Sequence, residues 1–377
     1  MRVLVPTGDF QYDVANGFAR DLAAGIASQA GQEVAVLPLK SSADLRQALH
    51  EFKPDLVLAI QGIGINAPEA AEAPDTAWMV MGIDHPSHIF GRIEQIQAKK
   101  TLITAFEASH LPCWKILAPE IPCAFLAHPA PVAPPNARKA ELGLSFLGTW
   151  NSPEEMAQKW QGKFPEAVIE RLTEALSQGM NNHCAIASEL LDFREPIWLE
   201  SRRHYSLGMS EVDLLLRLIL RSRLLHELDD AGIGIDIFGN GWKAADWRHH
   251  RIHQAVSYAE ALNIGARSLG VLSITPSYPA GSHERPLSCL AQGSVCLSSP
   301  SSFYRDAGFT PGLDYLEYDP WVSGSLTQAV KSLPDFYAST ARKDAVSACR
   351  FKVLQNHSAK ARARQILGLA KDHFGLD

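Results

Sequence analysis

Short apolar runs alternate with stretches of helical apolar spacing through the first 130 residues, and this alternation most restricts what the chain can fold into. Val3 to Val5 is a buried-type strand. Ala15 to Ala30 repeats its apolar residues at helical spacing until Gly31 stops it. Glu33 to Leu39 is strand-like, and Ala43 to Phe52 is a helix with a serine at its start. Asp55 to Ile60 is an apolar run ending in Gly62 and Gly64, and Trp78 to Ile83 is another. This β-α-β-α-β order predicts a parallel sheet with helices on both faces. Shorter apolar pieces follow at Leu102 to Ala105, Trp114 to Leu117 and Cys123 to Leu126.

From His128 to Pro135 four of eight residues are proline, which ends any helix or central strand and reads as a stiff hinge. A second alternating series then begins at Leu144 to Leu147. Residues 152 to 228 read as mainly helical. Ile233 to Phe238, Val271 to Ile274 and Val295 to Leu297 read as strands; Ala255 to Ala266 and Glu284 to Gln292 read as helices between them. Trp321 to Leu333 and Ala341 to Phe374 are helical again. The predicted fold class is α/β: two Rossmann-like domains, 1–135 and 136–350, facing across a cleft, with a helical insertion near 152–228 and a helical tail, 351–377. Ligands of open parallel sheets bind beyond the C-terminal strand ends, so the residues just after each strand are the ones to read for chemistry.

Composition narrows the classes. The chain has 377 residues and 46% apolar residues, enough for two cores at ~150 residues per domain. With 35 Lys and Arg against 41 Asp and Glu, the net charge of −6 gives no overall footprint for nucleic acid. The most apolar stretch, Leu214 to Leu225, is broken by Arg217, Arg221 and Arg223, so no transmembrane segment is expected. The N-terminus reads as a first strand rather than a signal peptide. The six cysteines form no C-x-x-C pair and are expected as thiols in the cytoplasm.

Four segments after strands can carry chemistry. In Gly82-Ile-Asp84-His85-Pro86, Asp84 is either a general base or a brace for the turn; His85 either holds Asp84 or is itself the base. In Phe238-Gly-Asn240-Gly241-Trp242, the two glycines allow a tight turn or close approach to a ligand, and Trp242 either stacks on a base or covers the core. Gly281-Ser282-His283-Glu284-Arg285-Pro286 opens a helix, whose free N–H groups and dipole favour an anion, and Arg285 and His283 add donors. The bland alternative is a capped helix with a surface ion pair. Ser145 to Trp150 leaves Gly148 and Thr149 to approach a phosphate or sugar hydroxyl, or to make a simple turn. His249, His250 and His253 include an i, i+4 pair, but the arginines around them favour a solvated basic face over a metal site. Arg202 to Tyr205 reads as polar surface, with an acceptor site as the sharper alternative.

Taken in series, Gly82 to Pro86, Phe125 to Pro129, Ser145 to Thr149, Ile237 to Trp242 and Gly281 to Gly293 resemble the bacterial CgeB-like, spore-maturation-type glycosyltransferases of the two-Rossmann GT-B group. The resemblance covers about half the chain. It implies a nucleotide-sugar donor held by the second domain, its phosphates near Ser282, His283, Glu284 and Arg285. The nucleotide would lie near Thr149, Asn240, Gly241, Trp242 and Tyr258. The acceptor, a glycan, lipid-linked or protein molecule, would sit on the first domain, and the C-terminal helix would pack back onto that domain. No metal or other cofactor is implied, and peripheral membrane association is compatible with it. Related enzymes carry a second glutamate a few residues into the helix; here Leu287-Ser288-Cys289 has no carboxylate, which favours inversion over retention. The expected reaction is therefore inverting transfer with Asp84 or His85 as base. The alternatives are a nucleotide-sugar epimerase or hydrolase of the same fold, or a two-lobed binding protein without turnover. A dinucleotide-dependent oxidoreductase is disfavoured, because Gly8 stands alone after the first strand.

Overall fold

The computed structural model describes residues 1–131, 141–152 and 202–376, together with positions 158 and 170. Half of the proline-rich hinge and most of the expected insertion therefore lie outside the described residues. The chain divides into two compact units, Met1–Pro131 with Lys352–Asp377, and Val132–Phe351.

Unit 1 is built on a parallel sheet of β1 (Arg2–Thr7), β2 (Glu33–Pro38), β3 (Leu56–Ile60), β4 (Ala77–Gly82), β5 (Lys100–Ala105) and β6 (Cys123–Phe125). The spatial order is β2-β1-β3-β4-β5-β6. Both central strands, β3 and β4, are buried along their whole length, as strands covered on two faces must be. Helices α1 (Val14–Ala27), α2 (Ser42–Glu51) and α3 (Leu111–Leu117) belong to this unit. From α1, Ala19, Leu22 and Ile26 pack against Val3, Val5 and Leu58. The chain leaves β1 for β2 on one side and later returns beside it as β3. The switch point of this sheet thus lies between β1 and β3.

Unit 2 repeats the plan with β7 (Leu142–Leu147), β8 (Asp236–Phe238), β9 (Arg251–His253), β10 (Ser268–Ser273), β11 (Val295–Ser298) and β12 (Leu316–Glu317), in the order β12-β11-β10-β7-β8-β9. Its switch point falls between β7 and β10, where Ser145 and Ser268 face each other at 2.8 Å in the core. Helices α4 (Arg202–Asp230), α5 (Tyr258–Arg267), α6 (Glu284–Gln292) and α7 (Ser325–Ala338) surround it. Helix α7 begins four residues later than the apolar pattern predicts, because Gly324 caps it in a left-handed conformation. The strand β9 has no apolar run and was not expected from the sequence. It is held by Arg251 and His253, whose side chains pair with the buried Asp236 of β8.

The helical tail is two helices, α8 (Thr340–Asn356) and α9 (Ala359–Phe374), separated where Ser358 caps the second through Ala361 N–H. In α8, Arg342 and Arg350 donate to the carbonyls of Gly293 and Ala291, satisfying the C-terminal end of α6. Helix α9 is part of the unit 1 core through Ala363, Ile366 and Ala370. It meets α1 where Gly25 faces the Ala359 carbonyl; a Cβ at Gly25 would lie only 2.6 Å from that oxygen. A buried polar knot fixes its start. Arg362 donates to the carbonyls of His128 and Asn356 and to His357 Nδ1, and Ala130 N–H donates to the His357 carbonyl.

Burial, with Arg362 and Lys352 nearby, lowers the His357 pKa from 6.5 to about 4. The folded chain therefore keeps this imidazole neutral between those values, whereas the unfolded chain takes up a proton. Stability is expected to fall as pH drops from 6.5 toward 4, by up to about 1.4 kcal/mol per unit. Urea unfolding at pH 7, 6 and 5 checks this: His357→Gln, which keeps an acceptor for Arg362, should show a shallower acid loss than wild type.

Candidate active site

The C-terminal strand ends of unit 2 converge on the loop after β7. Gly148 N–H donates to the Phe238 carbonyl and Trp150 N–H to that of Asn240, so the 148–150 loop lies along the 238–242 turn. The glycines of that turn exist for this contact. A Cβ at Gly239 would lie 2.0 Å from the Gly148 carbonyl, and one at Gly241, where φ is 90°, would lie 1.8 Å from that of Trp150. The close approach expected at Gly239 and Gly241 is therefore to the chain's own backbone. Trp242 is fully buried, donates to the Gly148 carbonyl at 2.6 Å and packs on Phe146, Trp150 and Trp247. Of its two sequence readings, the structure supplies the core-covering one.

Above this floor Arg285 is joined by two arginines that the motifs do not contain, Arg217 and Arg221. Arg221 of α4 donates to the Thr149 carbonyl at 2.7 Å, and its guanidinium stands 5.8 Å over the Phe146 ring. Burial, then the charges of Arg285 and Arg217, push its pKa down to about 9, against the opposing pull of Asp213. Arg217 pairs with Asp213 one turn earlier on α4, and Ser277, after β10, donates to the same carboxylate at 2.5 Å. Arg221 Nε and Arg285 Nη1 are buried with no hydrogen-bond partner among the described residues. Three half-buried guanidiniums thus stand close together, with Asp213 and Glu284 among the carboxylates beside them. Unrelieved, that arrangement is costly, and a bound anion would relieve it. The sequence does carry a signal for it: Asp213, Arg217 and Arg221 recur at i, i+4 and i+8 within a strongly apolar helix.

The 281–285 turn contributes the start of α6. His283 is its N-cap residue and makes no side-chain cap, so the first-turn N–H groups are not satisfied by it. His283 and Glu284 pair side chain to side chain, with Arg285 Nε 3.7 Å from Glu284, and His283 packs edge-on to Tyr278. Ser282 is fully buried and donates to the His283 carbonyl at 2.9 Å, which places its hydroxyl in the scaffold of the turn. Tyr258 opens α5 on the same strand-end edge, after a Ser257 cap. The three histidines do not act together. His250 is buried between the Leu225 carbonyl and Ile235 N–H with its pKa lowered by burial, and His253 pairs with Asp236. The solvated basic face expected there is thus partly interior. Within the Arg202 to Tyr205 cluster, Tyr205 is buried rather than surface.

On unit 1, Asp84 follows β4 and is half-buried, and Gln61 Nε2 donates to its Oδ2 at 2.5 Å. His85 is buried; its Nδ1 accepts from Ser87 N–H and lies 2.7 Å from Ser87 Oγ, and its ring packs edge-on against the buried His110. Asp84 is the more accessible of the two.

Residues 221–368 match the model of a family described as glycosyl transferase-like. No curated protein sequence matches the chain. Among solved structures it resembles a sucrose-phosphate synthase from Thermosynechococcus elongatus, at 10% identity over 99% of both chains with a TM-score of 0.55. It also resembles AviGT4, a glycosyltransferase involved in avilamycin A biosynthesis, at 11% identity over 99% of this chain and 98% of that one, TM-score 0.53. A third likeness is HepE from Anabaena, solved with UDP-glucose, at 11% identity over 99% and 100% of the chains, TM-score 0.52. The fold is that of GT-B glycosyltransferases, and the glycosyl transferase-like match falls on residues 221–368 of it.

The contact between the 238–242 turn and the 148–150 loop makes a sharp test of how the site is built. Gly241→Ala is expected to cost about 2 kcal/mol or more, since it combines left-handed backbone with a backbone clash. Urea unfolding followed by the fluorescence of the Trp150, Trp242 and Trp247 cluster should show it.

Proposed function

We propose that the chain transfers a sugar from a nucleoside-diphosphate sugar to a hydroxyl of a glycan, lipid-linked or protein acceptor, with inversion and without a metal or other cofactor. One observation carries this reading: Arg217, Arg221 and Arg285 crowd together beside the first turn of α6. A diphosphate brings negative charge to these cations, and Arg fits phosphate oxygens in a bidentate manner. As the bond to the anomeric carbon breaks, charge grows on the leaving phosphate. Arg221, Arg285 and the helix start oppose that charge, which lowers the barrier without a metal ion. Asp84 takes the proton of the acceptor hydroxyl, whose oxygen forms the new bond to the anomeric carbon while the nucleoside diphosphate departs. His85 supports the Asp84 loop through Ser87.

UDP is the first nucleotide to try, since the HepE structure holds UDP-glucose. Thr149, Asn240 and Tyr258 border the nucleotide end of the site in this reading. The stretch Leu287-Ser288-Cys289 has no carboxylate where the resemblance implies a second glutamate, which supports inversion rather than retention. Within the class, the chain fits the CgeB-like type on its motifs. A cytoplasmic location agrees with the unbridged Cys113, Cys123, Cys289, Cys296 and Cys349. No helix among the described residues is long and apolar enough to cross a membrane, so contact with a lipid-linked acceptor would be peripheral.

A thermal-shift panel of UDP, GDP, dTDP and CMP tests the donor site. A specific ligand at 100 times its Kd should add about 2.7 kcal/mol of stability. Arg221→Gln and Arg285→Gln should each weaken that ligand by about tenfold or more. No response to any of the four nucleotides would contradict the reading. The base is tested separately: Asp84→Asn is expected to lower kcat by about a hundredfold or more with nucleotide affinity kept. Unchanged turnover would remove Asp84 from the reaction.

A further inference from the structure

Gln61 is the residue immediately after β3, at the switch point of the unit 1 sheet, and its backbone is left-handed with φ 54°. Among the described residues the other non-glycine positions of this kind are Tyr12, Asp13 and Lys53, and the first two follow β1 on the other side of the same switch point. Glycine is the residue such a backbone favours, and it carries no side chain. A glutamine kept there calls for a reason in its side chain.

That side chain is fixed at both ends. Gln61 Oε1 accepts from Ile83 N–H at 2.9 Å, and Gln61 Nε2 donates to Asp84 Oδ2 at 2.5 Å. The amide orientation follows from chemistry: the flipped form would turn its NH2 group on an N–H donor and its oxygen on a carboxylate. The backbone is held as well, with Gln61 N–H donating to the Met81 carbonyl at 2.9 Å and Arg92 donating to the Gln61 carbonyl at 2.8 Å. Gln61 is 9% exposed, so its amide makes these bonds largely out of water. It reads the β4 end with one atom and orients the carboxylate with the other.

We infer that Gln61 is the positioning residue of the general base: it donates to the Asp84 carboxylate and holds it in a fixed rotamer. The inference rests on the assignment of Asp84 as base. It adds a residue that touches neither the sugar nor the phosphates and acts only through Asp84. Other charged and titratable groups of this edge include His85 and His88 on the Asp84 loop, Arg92 beyond it, Glu107 and His110 after β5, Lys40 after β2, and Asp9, Tyr12 and Asp13 after β1.

The test is a carbon-13 titration of aspartate carboxyls in the full chain, with Asp84→Asn identifying the Asp84 resonance. Gln61→Glu keeps the shape and turns a charge on Asp84; Gln61→Asn tolerates the left-handed backbone but is too short to reach. The Asp84 midpoint should rise by about one pH unit or more in the first, a tenfold loss of acidity, and by about half a unit in the second. Turnover, read as UDP released from UDP-glucose, should fall by about tenfold in Gln61→Asn with UDP affinity kept, and the acid limb of kcat should move with the Asp84 midpoint. Midpoints within about 0.2 units of wild type in both variants would overturn the inference. If Asp84→Asn abolishes turnover while both Gln61 variants keep wild-type midpoints and kcat, the base stands and Gln61 is discarded. If Asp84→Asn keeps full turnover while the midpoints still move, the base assignment itself falls.

Discussion

Parallel strand pairing, used twice, is the constraint on which the rest depends. Every strand in each unit points the same way, so every strand-to-helix loop emerges at one edge of its sheet. Residues far apart in sequence are gathered there by topology alone. In unit 2 the loop after β7, the loop after β10 and the first turn of α6 share such an edge, and α4 adds its arginines. In unit 1 the ends of β3 and β4 bring Gln61 to Asp84 across 23 residues of chain.

Bringing Arg217, Arg221 and Arg285 close together costs like-charge repulsion, which Asp213, Ser277 and Glu284 oppose. Core packing nearby does the compensating. Trp242 fills the space under the 148–150 loop, and the glycines of the 238–242 turn let two backbones meet. At the far end of α6, Arg342 and Arg350 satisfy the carbonyls of Gly293 and Ala291, so the helix is anchored at its C-terminus. Left-handed Gln61 is the unit 1 counterpart of this strain.

The alternation of apolar runs and helical spacing was enough to read both sheets, since buried parallel strands are continuous apolar runs. Where tertiary contacts override local pattern, the reading failed. Strand β9 is polar and exists because Arg251 and His253 answer the buried Asp236. The Gly-Asn-Gly turn was open to a tight turn or a ligand, and that its glycines admit the 148–150 backbone is something no local sequence reveals. The 281–285 turn was legible because helix-start chemistry is local. Arg221 carries no motif of its own; its signal is the i, i+4, i+8 ladder of Asp213, Arg217 and Arg221 inside apolar residues. Gln61 was not legible at all: left-handed backbone at a glutamine carries no sequence signature.

A crystal structure with UDP bound most directly tests the central claim that unit 2 presents a nucleoside-diphosphate site. The account places diphosphate oxygens within about 3 Å of Arg221 or Arg285 guanidinium nitrogens and of an α6 first-turn N–H. UDP bound away from α6, or an occupied site in which Arg221 Nε and Arg285 Nη1 still lack partners, would contradict it.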